Sequence, residues 1–360
     1  MLTNIFTKSS KYVALALALS SLNACQKKEY EPLYETPTLT SQASGVTTRL
    51  TRVQFLNTNV GYVSGLSGVI LKTTDAGANW VKQNSGITTN LSSISFANEN
   101  VGYAAGAATG TGTAATFTIL KTTDGGNEWK PLSISGTGAA LNTIKFVTEK
   151  IGWVAGAAGR IFKTTDGGST WVQQTNFDTL GMRPSWIEKR LEDGESITAT
   201  GGTVAGTAIQ YLHAKNENEL FALASSGIVY HTTNGGETWK WYETHSLEAL
   251  YGISFVNDNT AYLCGANGCV LKMNPNFVFE DKTNKANTRS FRDLHFRDEQ
   301  TGYVFGEHGY IFKTIDGGTY WGNEVAPEQF YIFYSCFFTS PTTGYLVGNN
   351  GNIVKLQDVK

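Results

Sequence analysis

Five turns of this 360-residue chain place threonine, an acid or amide, glycine and tryptophan at one spacing. They are TTDAGANW (73–80), TTDGGNEW (122–129), TTDGGSTW (164–171), TTNGGETW (232–239) and TIDGGTYW (314–321). Their side-chain oxygens are the first candidates for chemistry, as metal ligands or as acids and bases. Glycoside hydrolysis, for example, needs two carboxylates roughly 5–10 Å apart across a cleft. The recurrence argues for a different role. A site is needed once, whereas this turn returns unit after unit. Asp75, Asp124, Asp166, Asn234 and Asp316 therefore read as scaffold: the side chain accepts turn N–H groups, and glycine takes backbone angles that other residues resist.

A second group of acids, Glu188, Glu192, Asp193 and Glu195, lies in MRPSWIEKRLEDGE (182–195). They alternate with bases and read as a solvated surface, not a catalytic pair. The same stretch carries Arg183, Trp186, Lys189 and Arg190, the residue types that dominate protein-binding hot spots. The plainer reading is a short helix from Pro184 that packs Trp186 and Leu191 and leaves its charges in water. Arg289 and Arg292 are further partner-binding candidates. Five histidines are scattered over different units, and His231 stands where other units carry lysine, which marks it as structural. Cys264 and Cys269 flank the turn GANG, a spacing that admits either a disulfide or two buried thiols in an exported protein. Cys336 reads as a packed, inert thiol. No Ser–His–Asp set, P-loop, dinucleotide-binding glycine pattern, CxxC or HExxH is present, so no catalytic residue, cofactor or metal is expected. A formal net charge of -2 carries no basic excess, and nucleic acid is not an expected partner.

The elements that must position these residues follow from an internal repeat. The clearest copy is LNTIKFVTEKIGWVAGAAGRIFKTTDGGSTW (141–171). An alternating stretch ends in Phe, as in RVQF (52–55), SISF (93–96), TIKF (143–146), GISF (252–255) and DLHF (293–296). A Gly-aromatic strand follows, such as GYVSG (61–65), GWVAG (152–156) or GYLVG (344–348), then a strand such as VILKTTD (69–75), then the turn into Trp. Four short strands recurring every 41 residues, from Phe55 to Phe96, predict an all-β chain in which each unit is one β-propeller blade. Seven units can be counted, the fifth lacking the Trp turn and the fourth eroded in its first strand. The seventh, 334–358, stops where its fourth strand is due. Residues 39–50 repeat the phrase at 80–91, with Leu39 at the place of Trp80, so the N-terminal strand is expected to complete the last blade and close a seven-bladed ring of antiparallel strands.

In a four-stranded meander the turns just described lie on one face. Two insertions fall on the other: AGAATGTGTAATF (105–117), and residues 174–208, which join the third blade to the fourth. Long insertions on a rigid repeat usually carry function. At the N-terminus, Lys8 and Lys11 precede the short apolar run YVALALALSSL (12–22). With LNAC (22–25) this resembles a bacterial lipoprotein signal over residues 1–24, which would make Cys25 the lipidated first residue of an exported protein. Residues 25–38 read as a tether to the propeller at 39–358, and the anchor would lie at the periplasmic side or cell surface, in the outer membrane.

The turn T-x-D-x-G-x-x-W resembles the Asp-box, or BNR repeat. The seven-fold pattern FxxxxxGYxxGxxGxIlKTTDGGxTW behind such a signal resembles the photosystem II assembly and stability factor family over residues 39–358. That resemblance implies a non-enzymatic scaffold that binds a membrane or envelope protein through a basic patch on one face, matched here only loosely by Arg183, Lys189 and Arg190. The competing class is a glycan-binding or sialidase-like and glycoside-hydrolase-like surface protein, since Asp-boxes occur there too. Sialidases need an arginine triad and an Arg-Ile-Pro signature near the first blade, and that signature is absent.

Overall fold

A computed structural model describes residues 36–109, 116–132, 134, 140–177, 207–283, 288–325 and 331–358. They form seven four-stranded antiparallel sheets. In the first blade the strands Leu50–Phe55, Gly61–Gly65, Ile70–Thr73 and Val81–Gln83 follow one another across the sheet in chain order, and five further blades repeat this. The first strands of successive blades pack on one another around a central axis. The chain is the expected all-β, seven-bladed propeller.

The seventh blade is built from Phe333–Ser340, Thr343–Gly348 and Ile353–Gln357, with Thr38–Gln42 as its fourth strand. Its register pairs Leu39 with Leu356 and Thr40 with Lys355. In the first blade Val81 pairs with Lys72, so Leu39 does occupy the place of Trp80. Pairing the N-terminal strand with the C-terminal one joins first and last blades through hydrogen bonds, the device that stops a ring of blades from opening at its seam.

Burial follows the ring. The core is seven separate clusters, one in each seam between neighbouring blades. The repeat's aromatic residues make four of the seams in the same way. Tyr62 of blade 1 stacks on Phe96 of blade 2 at 3.7 Å, Tyr103 on Phe146 at 3.5 Å, Tyr262 on Phe296 at 3.6 Å, and Tyr345 on Phe55 at 4.2 Å. Each Phe then meets the Trp of its own blade edge-on: Phe55–Trp80, Phe96–Trp129, Phe146–Trp171 and Phe296–Trp321 all lie at 5.9–6.0 Å and 85–89°. The glycine opening the second strand explains itself here. A Cβ on Gly102 would stand 2.4 Å from the Phe96 ring, so only glycine leaves room for the ring.

Where the repeat is eroded, other residues fill the seam. Blade 4 has Ala214 where the terminal Phe belongs, and Phe177, from the connection before it, packs at 5.4 Å from Tyr230 and 6.4 Å from Trp239. Blade 5 lacks the Trp turn. Phe277, held at φ 56°, stacks instead on Tyr242 at 3.8 Å. Blade 7 has no Asp-box, and there Asp358 accepts a 2.8 Å bond from Lys313 of blade 6, both side chains almost fully buried.

The clamp yields a direct test. Phe96 is held between Tyr62 and Trp129 and has no free direction to move, so Gly102→Ala should lower unfolding free energy by about 2 kcal/mol, the usual cost of overpacking. A change below about 0.5 kcal/mol in denaturant titration, within the range of neutral surface substitutions, would show that the rings are not fixed.

Candidate protein-binding face

The propeller has two faces, and the recurring turns make one of them self-sufficient. In blade 3, Asp166 Oδ1 accepts the Thr164 hydroxyl at 2.8 Å and the Thr170 N–H at 2.9 Å, while Oδ2 accepts the Thr170 hydroxyl at 2.6 Å. Thr164 Oγ1 in turn accepts the Gly168 N–H at 2.8 Å. Asp75, Asp124 and Asp316 repeat this pattern with Thr73, Thr122 and Thr314. Asn234 does so through its amide oxygen, to Thr232 at 2.9 Å and the Thr238 N–H at 3.0 Å. Hydrogen bonds to the charged form lower the Asp75 and Asp124 pKa values, chiefly from Asn79 and Glu128, and lower that of Asp166 to about 2, chiefly from Thr170. In Asp75 and Asp166 both carboxylate oxygens are engaged within the turn, and in Asp124 and Asp316 Oδ1 is.

These turns also accept bonds from the preceding blade. Tyr62 and Lys72 both donate to the Gly125 carbonyl, at 2.9 and 2.8 Å, and Lys121 donates to the Gly167 carbonyl at 2.9 Å. Tyr345 donates to the Ala76 carbonyl at 2.7 Å across the closing seam. The Asp-box face is thus a set of blade-to-blade latches. His231 has a packing role as well, stacked on Phe221 at 4.5 Å and 3.3 Å from Glu219, with burial holding its pKa down.

The opposite face carries the second-to-third-strand turns and the connections between blades. The blade 2 insertion appears there as a longer hairpin, with strands Gly102–Thr109 and Thr116–Thr122 paired as far as Thr109 and Thr116. Arg183, Trp186, Lys189 and Arg190 of the long insertion lie outside the described residues, as does Cys25. Its first residues are described, and they are anchored: the Asn176 carbonyl accepts the Trp239 N–H at 2.9 Å.

Arg289 and Arg292 do lie on this face, and each is stacked on a tyrosine. The Arg292 guanidinium sits 4.5 Å above the Tyr251 ring and 3.1 Å from Glu307, and Arg289 sits 4.6 Å above Tyr310. A third pair, Arg49 over Tyr334 at 5.0 Å, continues the series on blades 1 and 7. The aiming device is a bulge. Every innermost strand breaks register after its first residue, which leaves Tyr251, Arg292 and Tyr334 as the bulged second residues of blades 5, 6 and 7. A bulge turns its side chain out of the regular alternation and towards the neighbouring blade. Sequence reasoning missed Arg49 and the tyrosines, although Arg49 immediately precedes its innermost strand and Arg289 lies two residues before its own.

The cysteine pair needs a correction. Cys264, Cys269 and Cys336 are free thiols, so the disulfide reading is wrong. Cys264 pairs with Val270, not Cys269, and one residue of offset in a strand turns a side chain to the other face. Cys264 therefore packs in the seam with blade 6 and Cys269 in the seam with blade 4. Burial raises the pKa of all three thiols.

Fold and recurring turns together define an Asp-box β-propeller. The chain belongs to the family described as Photosynthesis system II assembly factor YCF48, whose model matches residues 89–205 and 275–357. It is similar to the photosystem II assembly lipoprotein Ycf48 of Synechococcus sp. (strain CC9902), with 24% identity over 263 residues, covering 66% of this chain and 78% of that protein. It is also similar to the chloroplastic photosystem II stability/assembly factor HCF136 of Arabidopsis thaliana, 21% identical over 283 residues, covering 66% and 70%. A solved structure described as YCF48 bound to D1 peptide superposes with a TM-score of 0.67 at 19% identity, covering 91% of this chain and 98% of that one. These relatives are named as assembly factors and not as enzymes, and the chain is a non-enzymatic propeller of that kind.

The Asp-box reading has a measurable consequence. Asp166→Asn should leave the melting temperature near the wild-type value at pH 7, because Asn234 already does the same work. Asp166→Ala should lower it. The Asp166 pKa is depressed from 3.8 to about 2, so its contribution is complete above pH 4 and lost as pH falls from about 4 to about 2. Equal melting temperatures for the alanine variant and wild type at pH 7 would contradict this account.

Proposed function

We propose that this protein is an exported, lipid-anchored assembly factor that binds a membrane or envelope protein through its insertion-bearing face. The observation that carries the reading is the row of stacked arginines, Arg49, Arg289 and Arg292, on that face. Stacking on a tyrosine fixes the plane of a guanidinium, so less side-chain entropy is lost on binding. Arginine and tyrosine are also the side chains that most often dominate protein–protein binding energy. The relatives' names support the mode of action, since they are called assembly factors, several of them lipoproteins, and one solved relative is described as bound to a peptide. The insertion's Arg183, Trp186, Lys189 and Arg190 would extend the same surface. The anchor would be Cys25 behind the signal at 1–24, with 25–38 as tether, and the outer membrane is the site this reading favours.

Crosslinking and mass spectrometry in native membranes test the surface. Wild type should capture one membrane or envelope protein. Both a variant lacking residues 178–200 and the triple variant Arg49→Ala, Arg289→Ala, Arg292→Ala should lose at least tenfold of that signal while melting within a few degrees of wild type. Unchanged capture by both variants would remove this face from consideration. Binding to an oligosaccharide array with no protein captured would favour the glycan-binding reading.

The anchor is tested separately. Cys25→Ser should abolish incorporation of labelled fatty acid and release the propeller from the membrane fraction; retention with label still incorporated would refute Cys25 as the acceptor.

A further inference from the structure

The innermost strand of each blade presents a free edge to the central channel, and an edge strand has N–H groups with no ladder partner. Six of these are capped by polar side chains of the preceding blade. At the third strand position Ser335 Oγ accepts the Val53 N–H at 3.4 Å, Thr143 Oγ1 the Leu212 N–H at 3.3 Å, and Asp293 Oδ2 the Cys336 N–H at 2.9 Å. At the fifth position Gln54, Ser95 and Ser254 do the same for Phe96, Phe146 and Phe296, at 2.8, 3.0 and 2.9 Å.

Two positions break this rule with a cation, which cannot accept a hydrogen bond. Arg52 holds a third position and Lys145 a fifth. The N–H groups they would face, of Ile94 and Ala214, receive no side-chain acceptor among the described residues. Arg52 spans the axis instead. Its guanidinium lies 4.5 Å over the Tyr211 ring of blade 4, and its Nη1 is 3.5 Å from both Asp293 Oδ2 and Ser335 Oγ. Its Nε is buried and unpartnered, while Lys145, half-buried, makes no hydrogen bond or ion pair among the described residues.

Charge does not balance here. Of the fourteen residues at these third and fifth positions, Asp293 alone is a carboxylate. Its two oxygens already serve the Leu294 and Cys336 N–H groups and Arg52. Burial, with the Arg52 charge second, lowers the Lys145 pKa, and burial holds His213 and His295 neutral, at about 3 and 4. Two cations thus share one committed acid in a site nearly closed to solvent, and an unpaired charge in such a place is costly unless a counter-ion joins it. On the Asp-box side His213, within electrostatic reach of Lys145, lines a cavity of about 750 Å³ together with Lys215, Glu219 and Phe255.

We propose that the channel beside Lys145 and Arg52 is a binding site for a small carboxylate anion. A guanidinium with an unpartnered Nε and an ammonium within electrostatic reach of it together suit two carboxylate oxygens better than a single-atom ion. The site is independent of the partner-binding face.

Sodium formate is the probe, with ionic strength held constant by sodium fluoride and the full chain used throughout. The wild-type melting temperature should rise by roughly 3–5 °C at a hundredfold excess over Kd. Lys145→Met should show no such rise. On wild type alone, side-chain NMR of Lys145 should show its pKa moving up as formate is added, a readout that does not depend on the variant folding. An equal rise in both proteins, or no response of wild-type melting and Lys145 titration to formate, would overturn the proposal.

Discussion

One contact, repeated in four of the seven seams, holds this molecule together: a tyrosine from one blade laid flat on a phenylalanine of the next, with the tryptophan of that next blade against the ring's edge. Each ring pair contributes roughly 0.5–1.5 kcal/mol beyond its buried area. The geometry also fixes how one blade is set against its neighbour. Seven seam clusters replace a single core, so stability is divided among seams and the ring is only as sound as its closure. The pairing of Thr38–Gln42 with Ile353–Gln357 removes the one seam at which the ring could open.

The Asp-boxes make sense in that setting. Their aspartates are exposed, acidic and recurrent, which at first sight suits catalysis. In each box Oδ1 is nevertheless engaged within the turn, and the turn's own carbonyls receive lysine and tyrosine from the blade before. Where a blade lacks the box the same need is met by other chemistry, a buried Lys313–Asp358 pair or a stacked Phe277. With one face committed to latching blades together, the other is left free to vary. It is there that the insertions, the bulges and the stacked arginines collect.

The axis shows the opposite balance. Six of the innermost-strand N–H groups are capped by polar side chains of the preceding blade. Arg52 and Lys145 depart from that pattern and Asp293 follows it with a charge, and burial makes each of the three expensive. The Arg52 side chain is 15% exposed and that of Asp293 8%, which leaves little water to screen them.

The sequence alone determined the fold, the count of seven blades, the closure by the N-terminal strand and the scaffold role of the Asp-boxes. All of these are written locally, as alternation, glycine and aromatic spacing within one repeat, and repetition gave each signal several copies. It also located Arg289 and Arg292, though without their tyrosines. What it could not carry were pairings between repeats. Arg292 meets Tyr251 because two bulges in adjacent blades turn their side chains toward one another, and Arg52 meets Asp293 only across a closed ring. The cysteines show how fine the distinction is: a register offset of one residue sends Cys264 and Cys269 to opposite faces of a sheet. Strand register, bulge geometry and ring closure are set by the packing of the whole molecule, and so only the tertiary structure decided which side chains meet.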